Sequence, residues 1–167
     1  MTMDVYFDYA CPFCLRGLAY LQELSEKYPE IKLNFVPVEA HPRPEKYGLH
    51  TDLCARGMYV ARDMGVDLWT YHTHMYRAAV NDRVNIESAG VLSESMAKIL
   101  DKQRFFDALQ GDAYEEQIKQ NNKKAYEELD IWAVPSFRMS DGRKLDAKEG
   151  VGVHFQELEA FMKGTRA

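Results

Sequence analysis

Apolar and polar positions in the first forty residues follow two different periods, which predict a strand, a helix and a second strand. Residues 3–9 form a short, largely apolar run typical of a buried strand. Residues 12–21 carry apolar side chains at helical spacing, with Pro12 at an opening position that proline tolerates. Residues 31–38 alternate apolar and polar side chains and predict the second strand. Together they predict a βαβ unit with a parallel strand pair.

The pattern changes after a Pro-rich loop that follows the second strand. Between about residues 50 and 130 no segment has a good strand pattern, and apolar spacing favours helices. Strand character returns in two short runs around an Asp-Gly turn, which predict a β-hairpin, and a final helix follows. The predicted helices of the middle segment are 52–64, 67–79, 86–100, 102–109 and 113–129, the hairpin strands are 136–139 and 144–147, and the last helix is 155–163.

The order βαβ, helical block, ββα predicts an α/β fold. We interpret it as a thioredoxin-like core with a helical insertion between the second strand and the segment around Pro135. Residues 1–48 and 131–167 are predicted to form the core, and residues 49–130 the inserted helical domain. Tyrosines, methionines and a tryptophan are frequent between residues 47 and 76, and we expect most of them to lie in the core.

The length, net charge, apolar runs and cysteine count of the chain argue against several classes of function. The chain has 167 residues, enough for one domain with an insertion. A net charge of -5 argues against electrostatic binding of nucleic acid. No apolar run is long enough to span a membrane, and the N-terminus lacks the blocks of a secretory signal, so we expect a cytoplasmic location and no membrane partner. The three cysteines do not suggest the disulfide framework of a secreted protein.

The motif Cys11-Pro12-Phe13-Cys14 stands where the first predicted strand gives way to the first helix. A sulfur at a helix N-terminus faces unpaired backbone N–H groups and the positive end of the helix dipole, which favour the thiolate. We therefore predict that Cys11 is the catalytic nucleophile. Cys14 lies about one helical turn further on and is predicted to be the resolving thiol, more buried and less acidic.

Two other interpretations of this motif remain open. The cysteines could be half of a structural zinc site, although the sequence offers only Cys54 and the loose pair His72 and His74 as further ligands. They could also be inert core residues. We predict no metal site, and we expect Cys54 to be a reduced, partly buried helix residue.

Three stretches together carry a family resemblance: residues 7–14, residues 36–42, and Val134-Pro135 before the hairpin. The chain resembles the DsbA-like thioredoxin family, in particular its cytosolic FrnE-type branch. The resemblance implies a disulfide oxidoreductase without a bound cofactor, acting on a protein or on a small thiol such as glutathione. It also implies a cis Val134–Pro135 bond beside the two cysteines, with Val134, Pro135, Pro12 and Phe13 contacting the substrate.

Two polar residues near the motif are candidates for accessory roles. Asp8 matches an acidic position of the family and could relay a proton, or could simply cap the turn. His41 could border the substrate groove, or could be an exposed loop residue.

One position departs from the family pattern. Strongly oxidising members carry His where this chain has Phe13, so we expect a reduction potential between ~-270 and ~-120 mV and a resting dithiol. The alternatives are an enzyme like the glutathione-linked transferases and 2-hydroxychromene-2-carboxylate isomerase, which typically have Ser in place of Cys11, and a non-catalytic redox-sensing module.

Overall fold

A computed structural model describes residues 1–164 and contains one four-stranded mixed sheet. The spatial order is β2-β1-β3-β4. The strands β1 and β2 are parallel, β3 runs antiparallel to β1, and β4 is antiparallel to β3. The parallel βαβ unit and the hairpin predicted from the sequence are therefore both confirmed. The strands are β1 (Thr2–Phe7), β2 (Lys32–Pro37), β3 (Ser136–Met139) and β4 (Lys144–Asp146).

Seven α-helices surround this sheet within the described residues, and two of them continue into a π-helical turn. The π turns follow α3, over Arg77–Asn81, and α6, over Lys124–Glu128. The helices are α1 (Pro12–Lys27), α2 (Asp52–Asp63), α3 (Leu68–Tyr76), α4 (Ala89–Met96), α5 (Lys102–Gln110), α6 (Glu115–Lys123) and α7 (Phe155–Lys163).

Two helices are shorter than their apolar pattern predicts. The helix expected over 86–100 is α4, and it begins only at Ala89 because Ser88 caps it: the Ser88 hydroxyl accepts a hydrogen bond from the Val91 N–H at 3.3 Å. The helix expected over 113–129 begins at Glu115, because Tyr114 has a left-handed backbone with φ of 61°.

Strand β1 is buried on both faces of the sheet. Met3, Val5 and Phe7 pack into the main apolar cluster, whereas Tyr6 points into a second cluster with Val38 on the opposite face. Burial on both sides explains why the segment reads as a continuous apolar run. It also fixes the end of β1, from which the turn that leads to Cys11 emerges.

The helical block packs against the sheet through aromatic rings. The ring centroid of Tyr9, two residues after the end of β1, lies 5.2 Å from that of Tyr76 and 5.7 Å from that of Tyr71. These tyrosines are buried as expected, but Tyr47 is an exposed loop residue, contrary to the expectation for the aromatic cluster. The division at 1–48, 49–130 and 131–167 stays a prediction, and residues 165–167 lie outside the described part of the chain.

Candidate active site

Cys11 occupies the N-cap position of α1. The chain turns between β1 and α1, where the Cys11 N–H donates to the Asp8 carbonyl at 3.3 Å. Cys11 itself is extended, with φ of -93° and ψ of 116°, and Pro12 starts the helix. The Cys11 Sγ atom accepts a hydrogen bond from the Cys14 N–H at 3.3 Å. The sulfur thus takes the place that a capping hydroxyl holds in other helices.

The two thiols of the motif differ strongly in acidity. A hydrogen bond from the Cys14 thiol, together with the amides of Cys14 and Phe13, lowers the pKa of Cys11 against the opposing effects of burial and of the Asp8 charge. Burial and the contact with Cys11 raise the pKa of Cys14 well above its ordinary value. Cys11 is half-buried and Cys14 fully buried, and both thiols are free. The predicted contrast in acidity and exposure is present.

The segment before β3 lies beside Cys11. The Val134–Pro135 peptide bond is cis, and the Val134 carbonyl oxygen lies 3.7 Å from Cys11 Sγ. Pro135 is buried against α1 at Gly17, where an added Cβ would lie 2.9 Å from the Pro135 Cγ. A glycine at this turn of α1 therefore allows the helix to approach the proline closely.

Asp8 is a buried carboxyl directly beneath the motif. Its side chain accepts hydrogen bonds from the Ala10 N–H at 2.9 Å and from the Ala40 N–H at 2.7 Å. Its backbone N–H faces Cys14 Sγ at 3.5 Å. Burial raises the pKa of Asp8 even though the two amides favour its ionised form. Asp8 thus ties the active-site turn to the loop after β2.

Glu39 is a second buried carboxyl that the sequence analysis missed. Its side chain accepts from the Asn122 amide at 2.9 Å, and its carbonyl accepts from the Tyr126 hydroxyl at 2.7 Å. Burial raises the pKa of Glu39, and the charges of Asp52 and Asp8 add to that effect. Its position directly after the apolar end of β2 was the available signal. Two carboxyl groups therefore lie close enough to influence each other behind the motif.

His41 lies in the loop after Glu39 and forms a local pair. Its Nδ1 is 2.8 Å from a carboxylate oxygen of Glu45, and both side chains are partly exposed. Its charge lowers the pKa of Asp8, so it lies within electrostatic range of the buried carboxyl. The structure gives it no contact with either cysteine of the motif.

The surface around Cys11 is largely apolar. Pro12 is exposed, and Phe13 is half-buried under the Arg16 guanidinium, which lies 5.6 Å from its ring centroid. Trp132 is 88% exposed and lines a small cleft together with Val134. No sequence pattern pointed to Trp132, although it stands two residues before Val134. Trp132 thus presents a large apolar ring to solvent next to the Val134 end of this cleft.

The third cysteine, Cys54, lies outside the motif and differs from Cys11 in burial and acidity. Cys54 lies fully buried on α2, deeper than the partial burial expected, and burial raises its pKa well above the ordinary value. Within residues 1–164 no three histidine, cysteine or acidic side chains are grouped to hold a metal ion. None of the helices in that part of the chain has the length and apolarity to cross a membrane.

Comparison with known proteins connects this geometry to a family. YwbO of Bacillus subtilis strain 168 is 28% identical over 175 residues, covering 83% of this chain and 86% of YwbO. A probable DsbA oxidoreductase from Streptomyces coelicolor superposes with a TM-score of 0.77 at 15% identity, over 100% of this chain and 92% of its own. A 2-hydroxychromene-2-carboxylate isomerase superposes with a TM-score of 0.71 at 14% identity, over 98% and 94% of the two chains.

The structural similarities establish the fold, and the family follows from the sequence itself. The model of the DSBA-like thioredoxin domain matches residues 2–160, which include every strand of the sheet and both cysteines of the motif. This chain therefore belongs to the family of DSBA-like thioredoxin domains, as its resemblance implied.

Proposed function

We propose that this protein is a dithiol-disulfide oxidoreductase that exchanges disulfides with a protein or a small thiol such as glutathione. The observation that carries the proposal is the asymmetry of the two thiols on the first turn of α1. Cys11 is accessible and acidified, whereas Cys14 is buried and retains its proton. A nucleophile must be ionised and reachable, and a resolving thiol must wait until the first step is complete.

Each step of the exchange conserves electrons. The Cys11 thiolate attacks one sulfur of a substrate disulfide, the substrate S–S bond breaks, and the other substrate sulfur leaves as a thiolate. Cys14 then loses its proton and attacks Cys11 Sγ. The Cys11–Cys14 disulfide forms, the second substrate sulfur leaves, and two electrons have passed to the substrate. The reverse sequence oxidises a substrate dithiol.

Asp8 is proposed to accept the proton that Cys14 loses. Its charge raises the pKa of Cys14, and its own pKa is raised by burial, so the two groups are electrostatically coupled. A carboxyl with a raised pKa is better matched to proton transfer at neutral pH than an ordinary aspartate. The two amides that hold its oxygens keep the carboxyl in place under the motif.

The substrate segment is proposed to lie across Val134, with side chains against Pro12, Phe13 and Trp132. Val134 precedes β3 and lies outside any strand, so an extended segment could pair with its backbone by β-augmentation. We also propose that the chain works in the reducing cytoplasm as an FrnE-type member of its family. The support is the odd number of cysteines, three, which does not suggest a disulfide framework of the secreted type.

An insulin-reduction assay with dithiothreitol tests the proposal. We expect the wild type to accelerate insulin precipitation and Cys11→Ser to abolish the acceleration. Cys54→Ala is the matched control and should retain it, because Cys54 is buried away from solvent. A wild type without activity in either this assay or the reverse refolding of a reduced substrate would favour the redox-sensing module instead.

The transferase or isomerase alternative has its own test. The chain shares its fold with the isomerase described above, but it presents the Cys11 thiol at the helix N-cap. Conjugation of glutathione to 1-chloro-2,4-dinitrobenzene should stay at the uncatalysed rate. Catalysed conjugation that survives Cys14→Ser would support the alternative over the dithiol mechanism.

A further inference from the structure

A cleft of about 380 Å³ lies between α1 and α3, on a different face of α1 from the one that carries Pro135. Its volume is within the range of about 300–1,000 Å³ that small-molecule sites occupy. Its walls are mainly apolar and are formed by Leu15, Leu18, Trp69 and Tyr76. The chemistry of Cys11 does not require this cleft, so its shape calls for a separate explanation.

A buried histidine forms part of the cleft wall and lacks one hydrogen bond. His72 is only 3% exposed, and its Nδ1 is 2.9 Å from the Tyr9 hydroxyl. Its other ring nitrogen, Nε2, is buried and has no hydrogen-bond partner within the described residues. Burial lowers the pKa of His72 to about 3, so the ring is neutral. Whichever tautomer is present, Nε2 is a polar atom without a partner, which native interiors rarely tolerate.

The rim of the cleft carries a cation without a counter-charge. The Arg77 side chain is exposed and forms no ion pair or hydrogen bond to another side chain within residues 1–164. Gln22 and Asn81 lie on the same rim and supply neutral amide donors. A guanidinium and two amides above an apolar floor complement a ligand with one anionic end and an apolar body.

The rim is also the site of an irregular helical turn. Arg77 and Asn81 are the first and last residues of the π turn that follows α3, and the Asp82 N–H donates to the Arg77 carbonyl at 2.8 Å. Turns of this kind interrupt a regular helix and occur frequently at functional sites. Here the turn brings both of its polar end residues onto the edge of the cleft.

We propose that this cleft binds a small amphipathic carboxylate, with its apolar body between Leu18 and Trp69 and its carboxylate on Arg77. The site is independent of the proposed thiol chemistry, because none of the residues that carry the argument is a cysteine. A bound ligand would bridge α1 and α3 and so join the helix that carries the motif to the helical block.

Titration of the isotope-labelled protein with 4-phenylbutyrate tests the proposal, with the uncharged 4-phenylbutan-1-ol as the matched probe. In amide-correlated NMR spectra, 4-phenylbutyrate should shift residues 15–22 and 69–81 saturably. The indole N–H signal of Trp69 should move, whereas that of the exposed Trp132 should stay fixed. The alcohol should cause shifts at the same positions with weaker affinity.

Three variants test whether Arg77 binds the carboxylate and whether the cleft holds the apolar body of the probe. Arg77→Gln should weaken the binding of 4-phenylbutyrate by about threefold to fivefold, the range of a partly exposed ion pair. The affinity for the alcohol should stay unchanged. Arg62→Gln removes an exposed arginine of α2 outside the cleft and should leave the affinity for both probes unchanged. Ala19→Trp places a large ring in the cleft from an exposed helix position and should abolish binding of both, with the spectrum otherwise folded.

Three results would overturn the proposal. These are the absence of saturable shifts with either probe, shifts that centre on Cys11 and Val134, and an equal loss of affinity for the two probes in Arg77→Gln. All these readouts are made without turnover, so they stand whether or not the thiol exchange proposed above is correct.

Discussion

The Sγ atom of Cys11 lies 3.7 Å from the carbonyl oxygen of Val134, although the two residues are 123 positions apart in the chain. The Cys11 thiol is supplied by the start of α1, and the neighbouring backbone by the loop before β3. The strand pair β1 and β3 holds these two segments together, since Tyr6 is registered with Ser136. If Cys11 attacks a substrate as proposed, we therefore expect the substrate to approach along the Val134 backbone.

The first prediction separates the roles of the two thiols. If Cys11 attacks and Cys14 resolves, Cys14→Ser should accumulate mixed disulfides through Cys11, because the second step has no thiol to complete it. Cys11→Ser should trap nothing, because the two remaining thiols, Cys14 and Cys54, are buried and have raised pKa values. Non-reducing electrophoresis after incubation with a disulfide substrate, followed by mass spectrometry of the adducts, measures both.

A combined variant serves as the control for this experiment. Cys14→Ser together with Cys54→Ala should trap as much substrate as Cys14→Ser alone. Equal trapping by Cys11→Ser and Cys14→Ser would contradict the assignment of nucleophile and resolving thiol.

The second prediction concerns the contact between α1 and the proline loop. A Cβ at Gly17 would lie 2.9 Å from Pro135 Cγ, so Gly17→Ala should displace the loop or the helix. Overpacking of this kind costs about 1–3 kcal/mol, and we expect a loss of that order in the free energy of unfolding together with slower insulin reduction. Denaturant unfolding and the turnover assay measure the two effects.

Gly90 provides the matched glycine for this comparison. It lies in α4, and a Cβ there would meet nothing closer than 3.8 Å. Gly90→Ala should therefore stabilise the protein by about 0.4–1 kcal/mol through the unfolded chain and leave turnover unchanged. If Gly17→Ala behaves like Gly90→Ala, the close approach of α1 to Pro135 has no energetic importance.

The main elements of the fold could be predicted because local pattern and tertiary burial agree there. The apolar run that ends at Phe7, the helix opened by Pro12 and the Asp-Gly hairpin each carry their own signal in the sequence. The acidity of Cys11 was predictable for the same reason, since the capping geometry follows from where the strand ends and the helix begins.

Other features depend on contacts that no local pattern records. The burial of Glu39 depends on Asn122 and Tyr126, more than eighty residues away. The exposure of Trp132 could not be read from its apolar side chain, because solvent access there is set by the loop before β3. The two π turns likewise continue a helical apolar pattern and become visible only in the backbone hydrogen bonds.

The third prediction concerns Asp8 and the pH dependence of stability. Burial raises its pKa above the ordinary value, with His41 and the carboxyl of Glu39 nearby. A group whose pKa is raised on folding contributes its whole share of the stability below the pKa that it has in the unfolded chain, near pH 4 for an aspartate. That share is lost as the pH rises through the pKa that the group has in the folded protein. The free energy of unfolding of the wild type, relative to Asp8→Asn, should therefore fall with rising pH and then level off.

Denaturant unfolding of the reduced proteins across this pH range measures the effect. Asp112→Asn is the control, because Asp112 is exposed and its side chain forms no described hydrogen bond. Its difference from the wild type should stay nearly flat. A difference for Asp8→Asn that grows with rising pH would show that the carboxylate is stabilised by folding, and it would remove the basis for Asp8 as a proton acceptor.

The last prediction gives the direction of electron flow. The lowered pKa of Cys11 stabilises the reduced thiolate, and this raises the reduction potential above that of a pair without such support. Phe13 offers neither a charge nor a donor from its side chain, so the potential should lie between the thioredoxin-like ~-270 mV and the strongly oxidising ~-120 mV. That range is near or above the glutathione poise of the cytosol, and the resting pair should therefore be mainly dithiol.

Equilibration with glutathione buffers followed by alkylation measures the reduction potential of the pair. Phe13→His should raise this potential because the imidazole can stabilise the thiolate. A potential below ~-270 mV would contradict the role of the Cys11 thiolate in raising it. A pool found mostly as the Cys11–Cys14 disulfide in rapidly quenched cells would contradict a resting dithiol and indicate an oxidase or a peroxide-driven sensor.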